Sequence, residues 1–195
     1  MAVEPLMEAD PVPYRTAQLS HSEFTYMIPV SIHGPKFIRL YFYSSTYENF
    51  DNSKAFFSVK AGQFNVLRNF SVFFNAEALG KKDIEKEFYI LVQDLILNVT
   101  FTPRYSVLDS FAFVNGNEVV STPADLYFMD PEDHGHILVG QKVEYPLRND
   151  TTLETMYQTN IGGSFRLGLR HVSKMGRGRR LSKDTGSKSF ANYHP

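Results

Sequence analysis

Between residues 24 and 120 apolar and polar side chains alternate with a period of two, in short runs separated by turn-forming residues. A strand turns successive side chains to opposite faces, so this repeat demands strands with one face buried and is incompatible with helices at the same positions. In KFIRLYFY (36–43), Ile38, Leu40 and Phe42 share one face while Phe37, Arg39, Tyr41 and Tyr43 share the other; the first face is the candidate core. In NFSVFF (69–74), Phe70, Val72 and Phe74 alternate with Asn69 and Ser71, and in LILNVTFT (95–102), Leu95, Leu97, Val99 and Phe101 alternate with Asn98, Thr100 and Thr102. EFYILVQ (87–93) groups Phe88, Ile90 and Val92, and the polar pair Gln93-Asp94 after it predicts a hairpin into the next run.

A second hairpin is predicted in SFAFVNGNEVVS (110–121), where Asn115-Gly116 lies between two β-favouring runs. A two-residue turn that follows strand twist needs positive φ at both central residues, which Asn tolerates and Gly adopts freely. That register sets Val114 opposite Asn117 and Phe113 opposite Glu118, and it groups Phe111, Phe113 and Val120 on one face. Helix is scarce: only NAEALGKKDIEK (75–86) has helix-forming composition, and Gly80 interrupts it. Many short strands without helical alternation predict an all-β sandwich of jelly-roll or lectin type.

A chain of 195 residues with no cysteine is long enough to bury one core without staples. Its 17 Phe and 11 Tyr fit pleated surfaces. The net charge of −1 averages two unlike segments, since residues 164–195 carry eight Lys or Arg and one acid, leaving −8 on residues 1–163. The predicted organisation is a disordered N-terminal segment (1–13), a sandwich domain (14–163) and a basic, Gly-rich flexible tail (164–195) unable to bury a core of its own. The acidic body disfavours nucleic acid, because phosphate binding draws on clustered cations. No run is long and apolar enough to span a membrane, and the first residues, MAVEPLMEADPVPY, have neither a basic nor an apolar leader region.

Three N-glycosylation sequons are present, at Asn69, Asn98 and Asn149. The alternation places Asn69 with Ser71, and Asn98 with Thr100, away from the apolar face. DPEDHGH (130–136) gathers carboxylates and imidazoles, but its spacing matches neither an EF-hand loop nor a zinc motif, so it is expected to be a solvated loop. No nucleophile elbow, phosphate loop, dinucleotide fingerprint or zinc-protease motif occurs, and no catalytic residue, cofactor or metal is expected. Tyr41 and Tyr43, projecting with Arg39 from the outer face of one strand, suit a stacking platform for a sugar ring or an aromatic anchor for a partner; equally, they suit cover for a neighbouring loop. Arg177, Arg179 and Arg180 in the tail suit acidic polysaccharide or nucleic acid, but an unstructured or misread terminus is the expected reading.

Taken together, VPYRTA, PKFIRLYFY, FFSVKAGQFNVLRNFS, KEFYI, LNVTFTP, SFAFVNGNEVVS and LETMYQTNIGG, in this order, resemble the first malectin-like subdomain of plant receptor-like kinases of the FERONIA, ANXUR and THESEUS type. The resemblance runs from about residue 12 to 163. It implies a lectin-like β-sandwich on the extracellular side of the plasma membrane, non-enzymatic in itself, in a receptor that senses the cell wall. Its implied partners are wall polysaccharide of pectin type and secreted peptides bound with a membrane-anchored co-receptor. It also sets Tyr41 with Phe42, and Asp109, near the sugar-binding positions of the animal malectin. The family's opening Asn-Cys-Gly-Gly strand, its signal peptide, second malectin-like subdomain, membrane span and kinase do not appear, and residues 164–183 read as a basic insert. The chain is therefore expected to be a fragment of such a receptor. The rival expectation is a free-standing intracellular interaction module or a non-functional truncated product.

Overall fold

The computed structural model describes residues 2–3, 12–124, 126–128, 136–137, 142, 144–145, 147–148, 150–156 and 191–194. In chain order the strands are β1 (Ala2–Val3), β2 (Ala17–Ser20), β3 (Phe24–Pro29), β4 (Gly34–Tyr43), β5 (Phe56–Ala61), β6 (Phe64–Ser71) and β7 (Asp83–Val92). They continue with β8 (Ile96–Pro103), β9 (Ala112–Val114), β10 (Gly116–Ser121), β11 (His136–Ile137), β12 (Glu144–Tyr145), β13 (Thr152–Thr155) and β14 (Ala191–His194). The helix α1 spans Val72–Leu79.

Two sheets carry the architecture. One has the order β10-β4-β7-β13-β14 and the other β3-β8-β5-β6, while β1-β2-β9 forms a third, smaller sheet and β11-β12 a two-stranded ribbon. This is the sandwich that the alternation predicts, and neither large sheet closes into a barrel. β4 builds the centre of the first sheet because both its neighbours pair along it, β7 over its whole length and β10 from Gly116↔Tyr41 to Ser121↔Lys36. Ile38, Leu40 and Phe42 are fully buried, as are Phe57, Val59 and Phe101 from the facing sheet. Phe42 lies 5.7 Å from Phe57, 5.4 Å from Phe70 and 5.9 Å from Phe113, in the tilted and edge-on geometries that aromatic quadrupoles favour.

Several local expectations are corrected. Asn115-Gly116 is not a hairpin turn: β9 pairs with β2 while β10 pairs with β4, so the chain changes sheet at Asn115. Neither residue has positive φ, and Glu118 faces Arg39 rather than Phe113. Consequently Phe111 and Phe113 are buried, whereas Val120 is half-exposed on another sheet. The Gln93-Asp94 link is likewise a crossover, from β7 in the five-stranded sheet to β8 in the four-stranded one.

NFSVFF is strand only as far as Ser71, and Val72 opens α1. Phe70 and Val72 are buried while Phe74 is exposed, which a continued strand would not give. The helix stops at Gly80, in the left-handed region with φ 63°, where the Gly80 N–H donates to Glu77 O and Lys81 N–H to Ala76 O. The chain then returns as β7 from Asp83, so residues 83–86, expected to be helical, are strand. Ser71 is buried, not outward beside Asn69, because Asn69 sits at a bulge with φ 48° that turns the following residues over. Ala191–His194, within the segment read as tail, pair with β13; residues 164–190 lie outside the described residues.

Candidate functional site

The outer face of the five-stranded sheet gathers the polar and aromatic side chains of β4, β7 and β10. Arg39 stands at its centre because its β4 position pairs with Glu87 on one side and Glu118 on the other. Its Nε donates to Glu87 Oε1 at 2.7 Å and lies 2.8 Å from Glu85 Oε1, and its Nη1 donates to Glu118 Oε2 at 2.9 Å. A further bond joins Nη2 to Glu87. One cation thus faces three carboxylates, and the surplus charge on this face is negative.

The tyrosines border that network. The Tyr41 hydroxyl donates to Glu118 Oε2 at 2.8 Å and receives Arg39 Nη1 at 3.3 Å. Burial pushes the Tyr41 phenol up to about 12, with Arg39 lowering it and Glu118 raising it. Tyr14, from the segment before β2, sits edge-on to Tyr41 at 5.8 Å and tilted against Tyr43 at 6.1 Å. Burial, followed by the charges of Asp83 and Glu85, holds the Tyr14 phenol well above its ordinary range. Burial also raises the Glu85 carboxyl, and Arg39 opposes that rise.

Asn115 fixes the arrangement from behind. Its Oδ1 accepts from the Tyr43 backbone N–H at 2.7 Å, and its Nδ2 donates to Thr16 O at 3.0 Å and to Tyr14 O at 3.3 Å. The next residue must be small: a Cβ on Gly116 would stand 2.8 Å from Pro13 Cβ and 3.4 Å from Tyr41 Cδ2. So Asn115-Gly116 holds the 12–16 segment, and with it Tyr14, against β4. The dipeptide is a brace for the tyrosine cluster.

Tyr41 and Tyr43, predicted as a pair, are therefore brought together, joined by Tyr14, Glu85, Glu87 and Glu118. The sequence signal for those four lay in strand neighbours, which alternation alone does not reveal. Phe42, adjacent in sequence, points into the core and is fully buried. Asp109 is exposed, with φ 57°, and precedes β9, whereas Asn115 and the tyrosines lie beyond its other end. Asn69 and Asn98 are exposed on the four-stranded sheet, while Asn149 lies outside the described residues. Of DPEDHGH, residues 130–135 also lie outside them; among the described residues no group of three or more His, Cys, Asp or Glu is arranged to hold a metal ion. Among them no helix is long and apolar enough to cross a membrane.

The family model for the malectin domain matches residues 7–127. The chain belongs to the malectin domain family. This malectin domain is 42% identical over 164 residues to the receptor-like protein kinase FERONIA of Arabidopsis thaliana, a match covering 82% of the chain and 18% of that protein. It is 34% identical over 153 residues to the receptor-like protein kinase ANXUR1 of Arabidopsis thaliana, covering 78% of the chain and 17% of that protein. The chain thus spans about a fifth of the length of the curated relatives it matches. Among solved structures, the ANX1 ectodomain from Arabidopsis thaliana superposes with a TM-score of 0.73 at 31% identity, over 84% of this chain and 42% of that one. A structure of the plant peptide RALF23 in complex with FER and LLG2 superposes with a TM-score of 0.69 at 38% identity, over 80% of this chain and 40% of that one. The malectin domain therefore corresponds to an ectodomain region of FERONIA and ANXUR type receptor kinases.

Proposed function

We propose that this malectin domain is a non-catalytic ligand-binding module of a receptor-like kinase, held on the extracellular side of the plasma membrane, and that it takes a secreted peptide together with a co-receptor. The supporting observation is its 38% identity to the receptor chain found in complex with RALF23 and LLG2. The face offered to the peptide is the outer face of the five-stranded sheet around Tyr14, Tyr41 and Tyr43. Aromatic rings beside an acidic, hydrogen-bonded network provide anchors that lose little conformational entropy on binding. The opposite sheet exposes Asn69 and Asn98, whose glycans would keep that side clear.

A second reading, cell-wall polysaccharide on Tyr41 and Tyr43, draws on the same half-buried rings. The three carboxylates around Arg39 favour a neutral stretch of sugar there over a pectin-type polyuronate. Asp109 forms a separate candidate at the far end of β9. Calorimetric titration of the secreted, glycosylated chain with RALF23 and LLG2 tests the first reading. Saturable binding that weakens about tenfold or more in Tyr43→Ala supports it. No binding, or binding indifferent to Tyr43→Ala in a folded protein, contradicts it. Titration with neutral and with uronate oligosaccharides, in wild type and in Tyr43→Ala and Asp109→Ala, tests the second.

A further inference from the structure

On the outer face of the four-stranded sheet, β3 and β8 run antiparallel and set three facing pairs in a row, Thr25↔Thr100, Met27↔Asn98 and Pro29↔Ile96. Their side chains share that face because every second residue of a strand does. The Thr25 and Thr100 hydroxyls are hydrogen-bonded at 2.8 Å, so facing side chains of this row are in contact. The rest of the row is apolar around a single amide: Met27 is 67% exposed, Ile96 is 47% exposed, and Pro29 is exposed as well. An apolar strip standing in water on a sheet face marks a contact surface.

Asn98 stands in the middle of that strip and opens the sequon Asn98-Val99-Thr100. Its carbonyl points away from β3, accepting from the Gly62 N–H at 2.8 Å. At the end of the same ladder Val30 N–H donates to Leu95 O at 2.9 Å, so by alternation Met27 and Asn98 face each other without backbone bonds between them. Pairs of that kind bring side chains closest, with Cβ atoms about 5 Å apart. Ile96, two residues back along β8, is about 7 Å away. On the other flank Gly62 has no side chain to crowd the amide.

We infer that Asn98 carries an N-linked glycan whose first sugar lies on Met27 and Ile96, so that the chain supplies the cover for its own apolar strip. Attachment joins Asn98 Nδ2 to the anomeric carbon of an oligosaccharide donated from a lipid diphosphate. The carbon–oxygen bond to the diphosphate breaks, the diphosphate leaves with the electron pair, and Nδ2 gives up one proton. The faces of a pyranose ring carry C–H groups and its N-acetyl arm a methyl, which suit the adaptable Met27 and the branched Ile96 while the hydroxyls turn to water. Asn69, the other described sequon, stands beside exposed Arg68 instead and serves as the reference. The inference rests on the extracellular placement proposed above and is independent of the tyrosine face.

The test maps glycan occupancy of the full secreted chain by peptide mass spectrometry and then follows methionine oxidation by hydrogen peroxide. Met156, 39% exposed just after β13 of the other sheet, is the internal reference. Asn98 is expected to be occupied, and Met27 to oxidise at least about threefold more slowly than in Asn98→Gln, with Met156 unchanged. The slowing should survive trimming of the folded protein to the first N-acetylglucosamine. Removal of the whole glycan by an amidase repeats the comparison without a variant. Equal Met27 rates, or Asn98 bare while Asn69 is glycosylated, would overturn the proposal alone. A secreted chain bare at both would overturn it together with the extracellular placement. Shielding of Met27 in Asn98→Gln that grows with protein concentration would assign the strip to a second copy and overturn it as well.

Discussion

The hydroxyl of Tyr41 and the carboxylate of Glu118 are joined by a 2.8 Å hydrogen bond between neighbouring strands of one sheet. The two residues stand 77 positions apart in the chain, and the sheet order brings them together by laying β10 antiparallel along β4. That bond anchors the ring of Tyr41 and ties the tyrosine face to the charge network of Arg39.

Asn115 should behave as a brace and not as a turn residue. A type I′ turn accepts glycine at its first central position, so Asn115→Gly would be harmless there. With its bonds to Tyr43, Thr16 and Tyr14 lost, Asn115→Gly and Asn115→Ala are each expected to cost about 2 to 3 kcal/mol in urea unfolding. A neutral Asn115→Gly would contradict the brace.

Gly116→Ala should displace the 12–16 segment. Its Cβ would meet Pro13 at 2.8 Å, and overpacking of this kind costs about 1 to 3 kcal/mol unless the neighbour gives way. If Pro13 moves, Tyr14 leaves Tyr41 and loses the burial that raises its phenol. Ultraviolet titration should then show one tyrosine returning toward ordinary ionisation.

Arg39→Met leaves Glu85, Glu87 and Glu118 without their cation. Side-chain exposure is only 8% for Glu87, so the loss is expected to be on the order of 3 kcal/mol at neutral pH. Burial already raises the Glu85 carboxyl against the pull of Arg39, so without that cation it rises further and the fold prefers it protonated. The deficit of the variant should therefore shrink as pH falls toward 4, a trend measurable by thermal melts across pH.

Alkaline stability carries the opposite test. Burial raises the phenols of Tyr41 and Tyr47 to about 12, with Asn115 opposing the rise at Tyr47. A folded value above the unfolded one, near 10, means that this contribution is whole below about pH 10 and is lost as pH rises toward 12. Spectrophotometric titration should resolve late-ionising tyrosines, fewer in Tyr47→Phe, with unfolding in the same window.

What could be read from the sequence was whatever alternation alone decides. Ile38, Leu40 and Phe42 against Arg39, Tyr41 and Tyr43 came out correctly because a half-buried strand has no other way to satisfy that pattern. Asn115-Gly116 misled because the dipeptide's local preference matches a turn, while the structure uses the Asn amide for long-range bonds and the Gly for close approach. Residues 72–74 read as strand by alternation and by the β preference of Val and Phe, yet α1 opens at Val72, just after the irregularity in the β5–β6 register. Glu118 joined the candidate site through sheet order and Tyr14 through the bonds of Asn115 to the segment before β2, both of which depend on contacts far apart in the chain.

Hydrogen-exchange footprinting of the secreted chain, with and without the peptide and co-receptor, tests most directly whether the tyrosine face is the binding face. Slowed exchange is expected in residues 37–43 and 116–118, with the segment around Tyr14 following, and no change across Asn98 and its neighbours on β8. Protection confined to β3 and β8, on the sheet that carries Asn98, would contradict it.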